Sequence, residues 1–216
     1  LKAFLIKVRL KQRLKKTDIG IKPENQQLEI YWKEHFKQEL QFWGESNVWI
    51  EVEYLLSTVE GKVLDMCCGT GSTMKRLSKN TKIDLHGFDI SDFFIKEAIL
   101  SGINSDNLRV ADAASTGIEN KEFDYSYSIG SLEHFTEEGI SNFISEASRI
   151  TKSTSFHQIP VLKDKNFEGW LGLDQSYFNM AEEWWLEKFR KSFSDVKVLD
   201  SFWEDPISYG RWFVCK

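Results

Sequence analysis

The sequence predicts an α/β fold: a seven-stranded, mostly parallel sheet whose last strand runs antiparallel, with helices on both faces. Three observations carry this. From Gly61 onward, short apolar runs alternate with helical patterns and few hairpin turns intervene, the pattern of a parallel sheet covered on both sides. A glycine-containing turn, CCGTG (67–71), directly follows the first of these runs. The last two runs are separated only by EDPIS (204–208), too little chain for a crossover between parallel strands, which needs about ten residues or more. Those two must form a hairpin containing Pro206, which makes the sheet parallel with one reversed strand.

The elements follow in order. Ile30, Tyr31, Phe36, Leu40 and Trp43, then Val48, Ile50, Val52, Leu55 and Leu56, recur at helical spacing with Gly44 between the two groups, so two helices precede the sheet. KVLDM (62–66) is the first strand, followed by the glycine turn and a helix over about 72–78. IDLHGFD (83–89) is the second, and Ser91 or Asp92 caps the helix that ends near Ser101. LRVAD (108–112), FDYSYSI (123–129) and TSFHQIPV (154–161) are the third to fifth, with a helix over about 138–150 before the fifth. A helix near 181–193 precedes the closing strands DVKVLDSFW (195–203) and YGRWFVCK (209–216).

Composition limits the class. A chain of 216 residues, 41% hydrophobic and 28% charged, has enough apolar material for a full core and lies outside the disordered and collagen-like ranges. No apolar run approaches the roughly 20 residues of a membrane-spanning helix. Cys67, Cys68 and Cys215 lack the spacing of a zinc site or a disulfide framework, so no metal site is expected and a reducing, cytoplasmic setting is. The net charge of −5 hides an asymmetry: residues 1–16 carry seven cations and no acid, leaving a strongly acidic body. A nucleic-acid binder needs a basic stripe across its fold, so nucleic acid is not an expected partner. The chain therefore divides into a basic arm (1–20), an N-terminal helical lid (21–60) and a core (61–216). The arm reads as a solvated segment, with weak contact to an anionic membrane surface as the second reading.

The glycine turn carries the chemistry. Gly69 and Gly71 follow a strand and open a helix, where the lack of a Cβ lets the backbone approach a ligand. A dinucleotide fingerprint needs a third glycine at position 74, which is Met74, and no Gly-Lys-Ser/Thr of a P-loop follows. Asp65 at the strand end would repel a pyrophosphate and suits an ammonium or sulfonium group. Asp89 ends the second strand, where a carboxylate can take both hydrogen bonds of a ribose diol, and Asp112, followed by Ala113, can take an adenine amine. Each aspartate alone reads equally well as a cap or turn former. Three at successive strand ends describe one adenosine crevice.

On VLDMCCGTG, GFDIS (87–91), ADA (111–113), FDYSYSIGSLEHF (123–135) and the closing antiparallel pair, the sequence resembles the class I S-adenosylmethionine-dependent methyltransferases from about Lys62 to Lys216. The resemblance implies a Rossmann-like sheet and S-adenosylmethionine as cofactor, with S-adenosylhomocysteine as product. It implies that Asp65, Cys67, Cys68, Gly69 and Gly71 meet the methionine part, Asp89 and Ile90 the ribose, Asp112 and Ala113 the adenine, and Ser128, Ile129 and Gly130 the sulfonium. Tyr31, with Trp32, is the expected lid over the cofactor. Cys67 stands where the family usually has the first glycine, so that part of the loop is expected to be less closely apposed to the cofactor, with a reactive thiol nearby; TKSTS (151–155) replaces the family's turn before the fifth strand.

In-line methyl transfer draws mainly on positioning, and a hydroxyl acceptor gains from a base. His134, Glu133 and His157 are the candidate catalytic residues; local packing is the other reading of His134, helix-dipole stabilisation that of Glu133, and a buried strand position that of His157. His35 and His86 read as surface or structural. Trp170, Tyr177, Phe178, Trp184 and Trp185 either line an acceptor pocket or belong to the core. The expected activity is methyl transfer to oxygen of a small molecule or sugar. A non-catalytic cofactor-binding module and a nicotinamide-dependent reductase are the alternatives.

Overall fold

The computed structural model describes residues 26–40, 48–171, 175 and 177–216. The expected basic arm (1–20) lies outside them, as do residues 21–25 and 41–47 of the expected lid, Trp43 and Gly44 included. Seven strands form the main sheet: β1 (Gly61–Met66), β2 (Ile83–Asp89), β3 (Leu108–Val110), β4 (Phe123–Ile129), β5 (Thr151–Leu162), β8 (Val196–Glu204) and β9 (Ser208–Cys215), in the order β3-β2-β1-β4-β5-β9-β8. β1 pairs in parallel with β2 and β4, and β5 in parallel with β4, whereas β9 runs antiparallel to both neighbours. This is the sheet with one reversed strand that the short 204–208 connection requires. Asp205 closes that connection by accepting the Ile207 and Ser208 N–H groups on one oxygen, at 2.8 and 2.6 Å.

Both sheet faces are covered, which is why the strands are apolar on both sides. Leu64 and Met66 of β1 face α5 (Glu137–Ile150) and α6 (Glu182–Phe189), through Phe143, Ile144, Trp185 and Phe189. Val63 faces α2 (Val48–Leu55) and α3 (Ser72–Leu77), through Val52, Met74 and Leu77. The turn at Glu29–Trp32 and α1 (Glu34–Leu40) set Ile30 and Phe36 against Phe94 of α4 (Asp92–Leu100). Ser91 caps α4 by accepting the Phe94 N–H, and its hydroxyl donates to the Tyr31 carbonyl at 2.7 Å, so the N-terminal segment is tied to the end of β2.

Among the strands, three departures from expectation exceed a single residue. β3 stops at Val110, and Asp112 sits in a turn bridged to Ser115, because the Asp112 carboxylate takes the Ala114 N–H and bends the chain. β5 begins at Thr151, where hydroxyl pairing of Thr151 with Ser126 extends the ladder to the end of α5. Gly169–Leu171 and Tyr177–Asn179 form β6 and β7, a small antiparallel sheet with no counterpart in the expected element list. Trp170, Tyr177 and Phe178 on it are buried, as is Trp185, so these rings belong to the core.

Candidate functional site

A cavity opens at the carboxyl ends of β1, β2, β3 and β4, on either side of the position where the strand order reverses, which is where an open α/β sheet binds its ligand. The turn after β1 forms its floor. Cys67, Gly69 and Gly71 all have left-handed backbones, with φ of +62°, +54° and +75°. The turn is held by the Cys68 N–H on the Phe88 carbonyl at 2.8 Å and the Gly71 N–H on the Cys68 carbonyl at 2.9 Å. A Cβ on Gly71 would lie 2.2 Å from Ile103, so this glycine permits close packing on the far side, and of the expected cofactor contacts in the turn it is the one that does not line the cavity. The role of a third glycine passes to the strand: a Cβ on Gly87 would lie 2.6 Å from the Met74 sulfur, so the methionine fills the space that the strand glycine leaves.

The three aspartates converge as expected, and all line the cavity. The Asp89 carboxylate accepts the Gly69 N–H on one oxygen and the Ser91 N–H on the other, both at 2.9 Å, which fixes its plane and leaves lone pairs for a diol. Burial pushes its pKa up to about 6, against the pull of those N–H groups. Asp65 is 4% exposed and accepts the Tyr127 hydroxyl at 2.7 Å from the neighbouring strand. Burial pushes it up to about 8, a cost that a cationic ligand group would offset. Cys67 and Cys68 also line the cavity. Burial first, then the nearby carboxylates, pushes both thiols well above their ordinary range, which favours the protonated form over the reactive thiolate expected at Cys67.

Ile90, Ala113, Ile129, Gly130 and Tyr31, each expected to contact the cofactor, line the cavity. Ser128 does not. Alternation along β4 turns it to the opposite face, where its hydroxyl meets His157 Nδ1 at 2.8 Å. His157 is fully buried, its Nε2 meets the Ser155 hydroxyl at 2.8 Å, and its ring stacks on Phe189. Burial lowers its pKa to about 3, so it stays neutral, and it does not line the cavity; it is a structural residue of the core rather than a base. Gln158 on the other face is equally buried, close against Gly210. Trp32 points to solvent and donates to Asp92 at 2.8 Å, so of the two expected lid rings only Tyr31 faces the cavity.

His134 lines the cavity at the end of the short turn Leu132–His134. Its Nε2 lies 3.6 Å from Glu133 Oε1. Glu133 is 2% exposed and behind the wall, its Oε2 makes no hydrogen bond, and burial pushes its pKa up to about 8. Several wall residues carried no sequence signal. Gln175, whose amide donates to the Tyr31 hydroxyl at 3.3 Å, comes from an irregular segment, and Trp49 comes from a helix whose spacing reads as core. Ser131, adjoining the recognised SIG run, could have been included from its position alone. The acidic side chains among the described lining residues are the three aspartates.

Residues 63–154 match the family model of a methyltransferase domain. None of the curated protein sequences matches the chain. Solved structures do. The PH0226 protein from Pyrococcus horikoshii OT3 superposes with a TM-score of 0.64 at 19% identity, covering 88% of this chain and 97% of its own. Phosphoethanolamine N-methyltransferase 2 from Haemonchus contortus, in complex with S-adenosyl-L-methionine, gives 0.65 at 14% identity, covering 83% of this chain and 56% of its own. Geranyl diphosphate C-methyltransferase from Streptomyces coelicolor A3(2) gives 0.58 at 14%, covering 77% and 76%. All three share the fold.

Proposed function

We propose that this chain is a class I S-adenosylmethionine-dependent methyltransferase and that it transfers the methyl group to a hydroxyl of a small molecule, with a sugar as the favoured class. The observation that carries the reading is the convergence of Asp65, Asp89 and Asp112 with the Cys67–Gly69 backbone on one cavity, beside a histidine. The residues fit the cofactor: a buried carboxylate at Asp65 calls for a cationic partner, the oriented Asp89 carboxylate for a diol, and the Asp112 turn for an exocyclic amine. Bound there, the cofactor supplies an electrophilic methyl on a sulfonium. The protein's part is to hold the acceptor in line, to exclude water with Tyr31 and Gln175 in the described part of the 21–60 lid and the segment before β7, and to take the acceptor proton on His134.

The acceptor class rests on the wall. Tyr31, Gln175, Ser131 and His134 offer neutral hydrogen-bonding groups beside Trp49 and Phe135, and the charged groups there are acids. Such a wall suits an uncharged polyol better than a phosphorylated acceptor. Incubation with methyl-labelled cofactor and matched hydroxyl acceptors, neutral against phosphorylated, should transfer label to the neutral set. Cofactor binding without transfer to any class would favour a binding module, and displacement of S-adenosylhomocysteine by NAD a reductase.

The Asp65 environment predicts a pH dependence. In the empty protein its carboxyl, raised to about 8, keeps a proton at pH 6–7, whereas a cationic amino group beside it favours the carboxylate. Binding then releases a proton, and cofactor affinity should climb as pH rises from 6 toward 8. Calorimetry in buffers of different ionisation enthalpy measures this directly, and Asp65→Asn should flatten the climb. The same raised pKa contributes stability to the empty fold at low pH that is lost as pH rises through it.

A further inference from the structure

The loop from Ala111 to Ile118 carries Asp112 and Ala113 into the cavity, yet it belongs to no strand or helix and needs an outside anchor. Its start is tied to β2 by the Ala111 N–H on the Asp89 carbonyl at 3.0 Å, and within it the bonds are local: the Ala114 N–H on the Asp112 carboxylate, the Ser115 N–H on the Asp112 carbonyl, and the Ile118 N–H on the Thr116 hydroxyl. The anchor for its far side comes from α5. Glu146 Oε1 accepts the Thr116 N–H at 2.8 Å and the Thr116 hydroxyl, while Arg149 grips the same carboxylate through Nε at 2.8 Å and Nη2 at 2.7 Å. Arg149 Nη1 reaches on to the Asn120 side chain at 2.6 Å, so helix and loop are joined at two points. Glu146 is 8% exposed, and the guanidinium holds its carboxyl down to about 2, so the clamp stays charged at any working pH.

We infer that Glu146 is a positioning residue for cofactor recognition: held by Arg149, it fixes Thr116 and thereby sets the Asp112–Ala113 turn against the adenine. The inference rests on the proposed reading of Asp112 as the adenine partner. Glu146 does not line the cavity, so its loss should act on where the turn sits and leave the methyl-transfer geometry alone. A buried N–H and hydroxyl deprived of their acceptor would find new partners by moving the loop.

The test compares binding of S-adenosylhomocysteine with binding of its hypoxanthine counterpart, which lacks the exocyclic amine, by calorimetry. Glu146→Gln puts an amide N–H toward Arg149 and breaks the clamp; Thr116→Val leaves the Glu146–Arg149 pair intact and removes the hydroxyl, keeping the test open if the first variant fails to fold. Both should weaken S-adenosylhomocysteine about 5- to 20-fold, reduce the preference for adenine over hypoxanthine, and leave kcat at saturating cofactor within about twofold. Wild-type affinity and preference in both variants would overturn the inference, as would weaker binding with the preference unchanged, which marks a merely structural role. Asp112→Ala separates the two levels: if it leaves the preference intact, the adenine reading itself fails; if it abolishes the preference while the clamp variants do not alter it, only the inference fails.

Discussion

Asp89→Ala should weaken S-adenosylhomocysteine binding by about 1.5–3 kcal/mol, or roughly 10- to 150-fold, measured by calorimetry. The carboxylate works on both sides. Toward the protein it receives the Gly69 and Ser91 N–H groups, one on each oxygen, and so joins the glycine turn of β1 to the cap of α4. Toward the cavity it presents the remaining lone pairs in a fixed plane, ready for two hydroxyl donors. Alanine removes both functions, and the loop loses the bond that holds Gly69 in place. Asp89→Asn tests the division: the amide keeps one acceptor but turns an N–H against a backbone N–H, so most of the loss should persist although the shape is kept. Affinity unchanged in both variants would remove the ribose assignment, and the proposed cofactor site with it.

Much of this site was legible in the sequence because its geometry is set by strand ends. β2 and β4 match their expected bounds residue for residue, and Asp65, Asp89 and Asp112 reach the cavity because parallel strands deliver their carboxyl ends to one edge. Alternation was harder to use. Ser128 was placed with Ile129 and Gly130 as a block, but within a strand neighbours face opposite ways, and only at the turn beyond β4 do successive residues see the same space. His157 shows the same limit: titratable type and nearness to a strand end favoured a base, whereas two buried hydroxyl partners and a stacked ring make it part of the core. Gly71 was read by motif, but its need is packing against Ile103. Gln175 and the Glu146 clamp depend on contacts between segments far apart in the chain, which no local pattern encodes.

His134→Ala should lower kcat by about 10²- to 10⁴-fold, the usual range for loss of a general base, while S-adenosylhomocysteine affinity stays within about twofold. The separation follows from position. His134 stands beyond the end of β4 on the same wall as Ser131 and Phe135, whereas the Asp89 and Asp112 carboxylates are held by the Gly69, Ser91 and Ala114 N–H groups, so its removal leaves the bonds of the nucleoside end in place. A hydroxyl must shed its proton as the new C–O bond forms, and a neutral imidazole can accept it near neutral pH. Glu133 makes the assignment sharper. Its Oε1 lies 3.6 Å from the imidazole, but burial keeps this carboxyl protonated up to about pH 8, so it lends the ring no charge near neutrality. Glu133→Gln, which resembles that neutral form, should leave the rising limb of the kcat–pH profile near its wild-type position, while in His134→Ala the limb should disappear. Equal losses of turnover and cofactor affinity in His134→Ala would make the histidine a packing residue, and a limb moved to lower pH in Glu133→Gln would show that Glu133 acts as a charged partner of the ring. The two results together decide whether this wall performs proton transfer or only shapes the pocket.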